Sequence, residues 1–186
     1  MTRPIAMARF DHAWPLAGGA AVVASVLGLG LASLAVGLPF WMPLNATSHA
    51  LHGPEAAQFT GLDLAHTGLG AAIHVAACFF WAAVAVLMLR DSARGGAVLA
   101  WFAGLATAAL AGVVDFALMP ARLSPGWELV LPPAGVMAGL ASLGIGLAMG
   151  LWLAHGRRRA ARRPSGRPNP AGLTPPERSV PERTLP

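Results

Sequence analysis

Residues 67–89 read TGLGAAIHVAACFFWAAVAVLML and contain no Asp, Glu, Lys or Arg; their one imidazole is His74. A helix of about 20 apolar residues crosses the hydrocarbon core of a bilayer. An amphipathic helix of a soluble protein would instead place polar residues at helical spacing along one face, and this stretch has no such face. It therefore predicts a transmembrane helix.

Three further stretches share this character: residues 17–40, 96–119 and 133–154. Asp115, near the end of 96–119, is the only charged residue in them. Of the 186 residues, 55% are hydrophobic and 11% charged, whereas soluble domains carry about a quarter charged residues. Strands are not expected, because polarity does not alternate. We predict an all-α membrane protein in which residues 1–156 form a four-transmembrane-helix bundle.

The arginines predict how the helices are oriented. If all four stretches span the membrane, most of the arginines lie on one side: Arg3, Arg9, Arg90, Arg94 and the tail from Arg157 onward. The first connection on the other side has no arginine, and the third connection has only Arg122. Short cytoplasmic loops are enriched in Arg and Lys. We therefore expect both termini in the cytoplasm, with the chain in a bacterial inner membrane.

The first stretch has a competing interpretation as a cleaved signal peptide. Its apolar core is longer than the 7–15 residues usual for such a region, so we expect a retained span. The tryptophans near the predicted segment ends are expected at the membrane interface, where indoles are enriched. They are Trp14, Trp41, Trp101, Trp127 and Trp152.

Residues 157–186 have a different composition, with eight Arg, seven Pro and no aromatic residue. Such a segment buries too little apolar surface to offset its ordering entropy, so it is predicted to be a disordered cytoplasmic tail. Arg157–Arg163 are expected to contact anionic lipid headgroups. The net charge of +5 belongs largely to this tail, and no nucleic-acid partner is expected.

Small residues recur every four positions in the third and fourth stretches. The rows are Gly104, Ala108 and Gly112, then Gly135 and Gly139, then Ser142, Gly146 and Gly150. In lipid, such residues let helix backbones approach closely. Packing within the chain's own bundle is the favoured interpretation, and a homo-oligomer interface is the alternative.

Polar residues gather in the arginine-poor connections and just inside the helices beside them. The first group comprises Asn45, His49, His52, Asp63, His66 and His74, and the second comprises Asp115, Arg122 and Glu128. Asp63 is predicted to cap the second helix by accepting its free N–H groups. On an ideal helix, His66, Gly70, His74, Ala77 and Trp81 form one stripe. An isolated carboxylate is costly in hydrocarbon, so Asp115 is expected to have His66, His74 or Arg122 as a partner.

Three functions fit this polar group. The favoured one is an accessory or structural membrane component whose polar residues satisfy one another. The second is a transition-metal or redox protein, with His49, His52, His66 and His74 as ligands beside Asp115. The third is a proton or small-solute path through Asp115 and His74. Phosphate-binding loops and nucleophile or zinc-protease motifs are absent from the sequence, so no catalytic residue is assigned.

The chain resembles a group of small uncharacterised bacterial inner-membrane proteins. The resemblance rests on residues 45–49 (NATSH) and 63–67 (DLAHT) with His74, and on Asp115, Pro120, Arg122, residues 124–126 (SPG) and Glu128. It covers the four apolar stretches but not the tail. It implies a four-helix architecture and selects the same polar residues. It implies no activity.

Overall fold

The structure is a computed structural model that describes residues 5–89 and 96–161. This part of the chain is helical and contains no strand. Four of its helical segments are long and apolar enough to cross a membrane: His12–Ala35, Leu64–Met88, Ala97–Leu118 and Pro133–His155. The predictions of an all-α chain with four candidate spans, and so of a multi-pass membrane protein, are confirmed.

Six α-helices and several shorter helical turns lie in the described residues. The α-helices are α1 (Ile5–Ala35), α2 (Met42–Thr47), α3 (His49–His52), α4 (Leu69–Met88), α5 (Ala97–Val113) and α6 (Pro133–Ala161). A π-helical turn, Leu64–Gly68, leads into α4, and a second one, Val114–Leu118, extends α5. The connections 36–68 and 119–132 contain three 3₁₀ turns, Pro54–Gln58, Ala121–Leu123 and Trp127–Leu129.

The four long helices do not pack equally against one another. α6 packs most extensively against α1 and then against α5, while α4 packs mainly against α1. α4 and α5 contact each other much less. The order around the bundle is therefore α4, α1, α6, α5, and the side between α4 and α5 is the least closed.

Small residues lie where α6 approaches α1 and α5 closely. Gly146 on α6 lies against the α1 backbone at Ala20 and Ala21, and Gly104 on α5 lies against Ala148 on α6. A side chain at either glycine would meet backbone atoms of the neighbouring helix. The favoured interpretation of the small-residue rows, packing within the bundle, is confirmed at these positions.

Large apolar side chains cover the outside of the bundle, while the interior is rich in alanine. Val23, Leu31, Phe80 and Phe102 are each at least 60% exposed. In water such a surface would be unfavourable, whereas hydrocarbon tails solvate it. This inside-out pattern agrees with four helices that lie in lipid.

Helix α1 begins at Ile5, twelve residues before the predicted stretch 17–40, and two other helix ends also differ from the predicted segments. α1 ends at Ala35, before the end of the predicted stretch 17–40, because Gly37 adopts a positive φ of 78° and Pro39 follows. The α6 backbone remains helical through Ala161, five residues into the segment predicted to be disordered. The rest of that tail, 162–186, lies outside the described residues, and so do the side chains of Arg157–Arg163.

Candidate functional site: a polar cap and the cavity beneath it

The connections 36–68 and 119–132 meet at one end of the bundle, where α2 contacts the start of α4 and the turn Trp127–Leu129. We call these two connections the polar cap. They contain most of the polar residues that the sequence selects.

Asn45 is the centre of the first connection and is fully buried. Its amide Nδ2 donates hydrogen bonds to the carbonyl oxygens of Phe59 at 2.7 Å and Gly61 at 2.9 Å. Its Oδ1 accepts a hydrogen bond from the Thr67 hydroxyl at 2.5 Å. One side chain therefore joins α2, the loop that follows it and the entry to α4.

Asp63 caps the π-helical turn Leu64–Gly68, which leads into α4, and this prediction is confirmed. Its Oδ1 accepts from the backbone N–H of His66 at 2.7 Å, and its Oδ2 accepts from the His66 Nδ1 at 3.0 Å. These hydrogen bonds, the backbone one first, hold the pKa of Asp63 below its usual 3.8. They favour the ionised carboxylate because it is the stronger acceptor.

His49 and His52 lie in different surroundings although they are three residues apart. The buried ring of His49 has its Nδ1 2.9 Å from the Ala46 carbonyl oxygen and its Nε2 3.0 Å from that of Ala121. Carbonyl oxygens only accept, so a ring with a single N–H donates to one of them at a time. The His52 ring instead lies 4.7 Å from the His66 ring. His49 thus connects the two halves of the cap.

Arg122 and Glu128 also form contacts within the cap. The Arg122 Nε donates to the Ala50 carbonyl oxygen at 3.1 Å. Glu128 accepts a hydrogen bond from the Ser124 hydroxyl. Both side chains therefore hold the second connection in place, and neither is paired with Asp115 among the described residues.

His74 lies deeper, on α4, and contacts α1. The Ser25 hydroxyl donates to the Ala21 carbonyl oxygen at 2.6 Å, so its oxygen accepts from the His74 Nε2, 2.8 Å away. This chain of hydrogen bonds selects the tautomer of His74 with the proton on Nε2. The Cys78 sulfur lies 3.6 Å from the same nitrogen. His74 is thereby fixed against α1, at a different place from His66.

A cavity of about 180 Å³ lies beneath the cap, and its lining includes residues of α4, the end of α5 and the second connection. His74, Trp81, Asp115 and Trp127 all line it. The Asp115 carboxyl group and the Trp81 indole line this cavity from different helices. Ala77 and Leu123, which also line the cavity, are exposed. They place its opening on the less closed side of the bundle.

The four histidines proposed as metal ligands do not converge. In the part of the chain that the structure describes, no three His, Cys, Asp or Glu side chains lie close enough together to hold a metal ion. His66 pairs with Asp63, while His74 pairs with Ser25. His66 and His74 are eight residues apart, which is about 12 Å along a helix axis, so a shared stripe does not by itself bring the two rings together.

Two residues of the cavity region were not identified by sequence reasoning. Ser25 lies in an uncharged stretch with no local signal that it pairs with His74. Trp127 was expected at the membrane interface but is only 5% exposed. Its indole Nε1–H is buried and has no hydrogen-bond partner among the described residues. The one sequence feature that distinguishes Trp127 from the other tryptophans is its position in a turn-rich connection between two spans.

Comparison of the chain with protein families, with curated proteins and with solved structures finds no match. What the cap and the cavity can bind is therefore inferred from their own residues alone.

Proposed function

We propose that this protein is an accessory or structural component of a bacterial inner membrane, with a polar cap on the periplasmic side. The main support is the way the cap uses its polar side chains. Asn45, His49 and Arg122 each hydrogen-bond to backbone carbonyl oxygens of other segments. Side chains that form these hydrogen bonds hold the loops over the bundle. Few hydrogen-bond donors or metal-binding atoms in the cap then remain free to bind a ligand or to act in catalysis.

The distribution of arginines supports the proposed orientation. The first connection of the cap contains no arginine, whereas the arginine-rich segment begins at Arg157 in the last turns of α6, at the other end of the bundle. The positive-inside rule then assigns the termini to the cytoplasm. In this orientation Arg157–Arg163 contact anionic lipid headgroups.

Metal analysis and visible spectroscopy of the protein purified in mild detergent separate this function from the metal or redox alternative. We expect a colourless protein without stoichiometric metal. Stoichiometric metal, or a haem Soret band, that is lost in His66→Ala or His74→Ala would contradict the accessory role. A matched control is His155→Ala, because His155 lies at the far end of α6 from the cap.

A second candidate function is a proton or small-solute path, which the cavity favours because His74 and Asp115 both line it. Intramembrane ionisable groups that face a cavity commonly form such paths. In sealed vesicles the path predicts a pH-dependent flux that Asp115→Asn abolishes without changing the amount of folded protein. An equal flux in vesicles without the protein would exclude it.

A further inference from the structure

Asp115 is the only carboxylate that lines the cavity, and no Arg or His side chain pairs with it among the described residues. The nearest arginine in the sequence, Arg122, donates its Nε–H to the Ala50 carbonyl oxygen instead. A carboxylate within a membrane span normally has a counter-ion or faces a water-filled cavity. Asp115 thus leaves one carboxyl group without a counter-ion and available to a ligand.

The walls of the cavity are largely aromatic and apolar. Trp81, Trp127 and His74 contribute rings, and Ile73 and Leu143 contribute aliphatic surface. Because the cavity measures only about 180 Å³, an ion inside it lies within the roughly 6 Å range over which indole rings attract cations. Aromatic rings recognise quaternary ammonium groups through cation–π attraction, and a nearby carboxylate adds attraction between opposite charges.

We propose that this cavity binds a small organic ammonium ion, with the cationic group beside Asp115 and against the rings of Trp81 and Trp127. The size is suitable, since a cavity of about 150 Å³ accommodates a benzene molecule. Anions are disfavoured by Asp115, and the described residues offer too few ligands for a metal ion. The exposed residues Ala77 and Leu123 provide an entrance.

The buried Nε1–H of Trp127 supports a dedicated role for this ring. A buried donor without a partner costs free energy, and native structures retain few of them without a functional or structural reason. Trp127 also lies 5.9 Å from the His74 ring and 6.2 Å from the Phe116 ring, between ring centroids. The fold thus keeps a large aromatic surface at the cavity although the indole N–H is unsatisfied. This inference does not depend on the accessory role.

The test compares choline with its neutral carbon isostere, 3,3-dimethylbutan-1-ol, by isothermal titration calorimetry of the full chain in a non-ionic detergent. The two probes share size and hydroxyl group and differ in the positive charge. We expect saturable binding of choline and at least tenfold weaker binding of the alcohol. Absence of saturable choline binding, or equal affinity for both probes, would overturn the proposal, and this comparison needs no variant.

Two variants locate the site. Asp115→Asn nearly preserves the size of the side chain and removes its acidic group, so choline affinity should fall at least tenfold while the alcohol is unaffected. Glu55→Gln removes an acid outside the cavity and should leave both affinities unchanged. Unchanged choline affinity in a folded Asp115→Asn protein would overturn the proposed site.

The same ammonium chemistry occurs on a soluble ion and on a lipid headgroup. Repeating the choline titration in nanodiscs with and without phosphatidylcholine separates these sources. A loss of apparent choline affinity when phosphatidylcholine is present assigns the site to the headgroup, and unchanged affinity assigns it to a soluble ion.

Discussion

The buried side-chain amide of Asn45 connects several segments of the polar cap. Asn45 makes three hydrogen bonds, to Phe59, Gly61 and Thr67, which lie 14 to 22 residues further along the chain. Such a side chain needs an NH₂ group that donates twice and an oxygen that accepts. Only asparagine and the longer glutamine have both in one amide group. The loop between α2 and α4 therefore depends on this one position.

Asn45→Ala should lower the free energy of unfolding by about 1–3 kcal/mol, because it leaves two carbonyl oxygens and the Thr67 hydroxyl without their partner. Thermal unfolding in detergent measures the change as a lower midpoint. Leu51→Ala is the matched control, since Leu51 is 65% exposed and its truncation removes no hydrogen bond. Equal midpoints for the two variants would show that the Asn45 network does not stabilise the cap.

Asp63 predicts a dependence of stability on pH. Its pKa is lower in the folded chain than the 3.8 of the unfolded chain, because of the hydrogen bonds from His66. Its contribution is therefore present above about pH 3.8 and is lost as the pH falls towards the folded pKa. Asp63→Asn should have a lower unfolding midpoint than the wild type at pH 6, and the difference should shrink towards pH 3. A difference that is the same at both pH values would contradict this assignment.

At the level of the helices, close packing depends on the positions of glycine residues, which have no side chain to separate two backbones. Gly146 lets α6 approach α1 until a methyl group at this position would lie 2.6 Å from the Ala20 carbonyl oxygen and the Ala21 Cα. Gly19 on α1 has open space, with nothing within 4 Å of such a methyl group. The two glycines look alike in the sequence, yet only Gly146 carries a packing constraint.

Gly146→Ala should destabilise the protein by about 1–3 kcal/mol, since the added methyl group forces the backbones of α1 and α6 apart. Gly19→Ala makes the same chemical change in open space, and the better helix propensity of alanine should make it neutral or stabilising by up to about 1 kcal/mol. Unfolding of both variants in a mixed-detergent titration measures the two changes. A Gly146→Ala protein as stable as Gly19→Ala would show that α1 and α6 adapt without cost.

The π-helical turns explain why the polar pattern was only partly predictable at this level. Periodicity places His66 and His74 on one face of an ideal helix, but the turn Leu64–Gly68 interrupts the ideal register at His66. Asp115 lies in the corresponding turn, Val114–Leu118, at the end of α5. Such turns often occur at functional sites, and the sequence carries no local signal that distinguishes them from an α-helix.

For the whole molecule, the proposed orientation makes a direct prediction. Reporter fusions at Gly53 in the polar cap and after Ala161 should lie in opposite compartments, the cap in the periplasm and the tail in the cytoplasm. The reason is that arginines are concentrated at the end of the bundle opposite the cap. A periplasmic phosphatase and a cytoplasmic fluorescent protein report the two sides. Activity of the same reporter at both positions would contradict the four-span topology.

The four apolar stretches and the Asp63 cap could be predicted because they depend on local chemistry. In lipid each stretch must satisfy its own backbone N–H and C=O groups, and a helix does so within one segment of chain. An N-cap likewise involves residues only three apart. Neighbouring residues alone are enough for such features.

Which polar groups meet could not be predicted in the same way. Ser25 contacts His74 across 49 residues, His49 contacts Ala121 across 72, and Trp81 lines the same cavity as Asp115 from another helix. These pairs depend on the helix order α4, α1, α6, α5 and on glycines such as Gly146 that set the distances between axes. Lipid surrounds every helix with similar apolar solvent, so burial provides little preference for one order, and close packing selects among the possible arrangements.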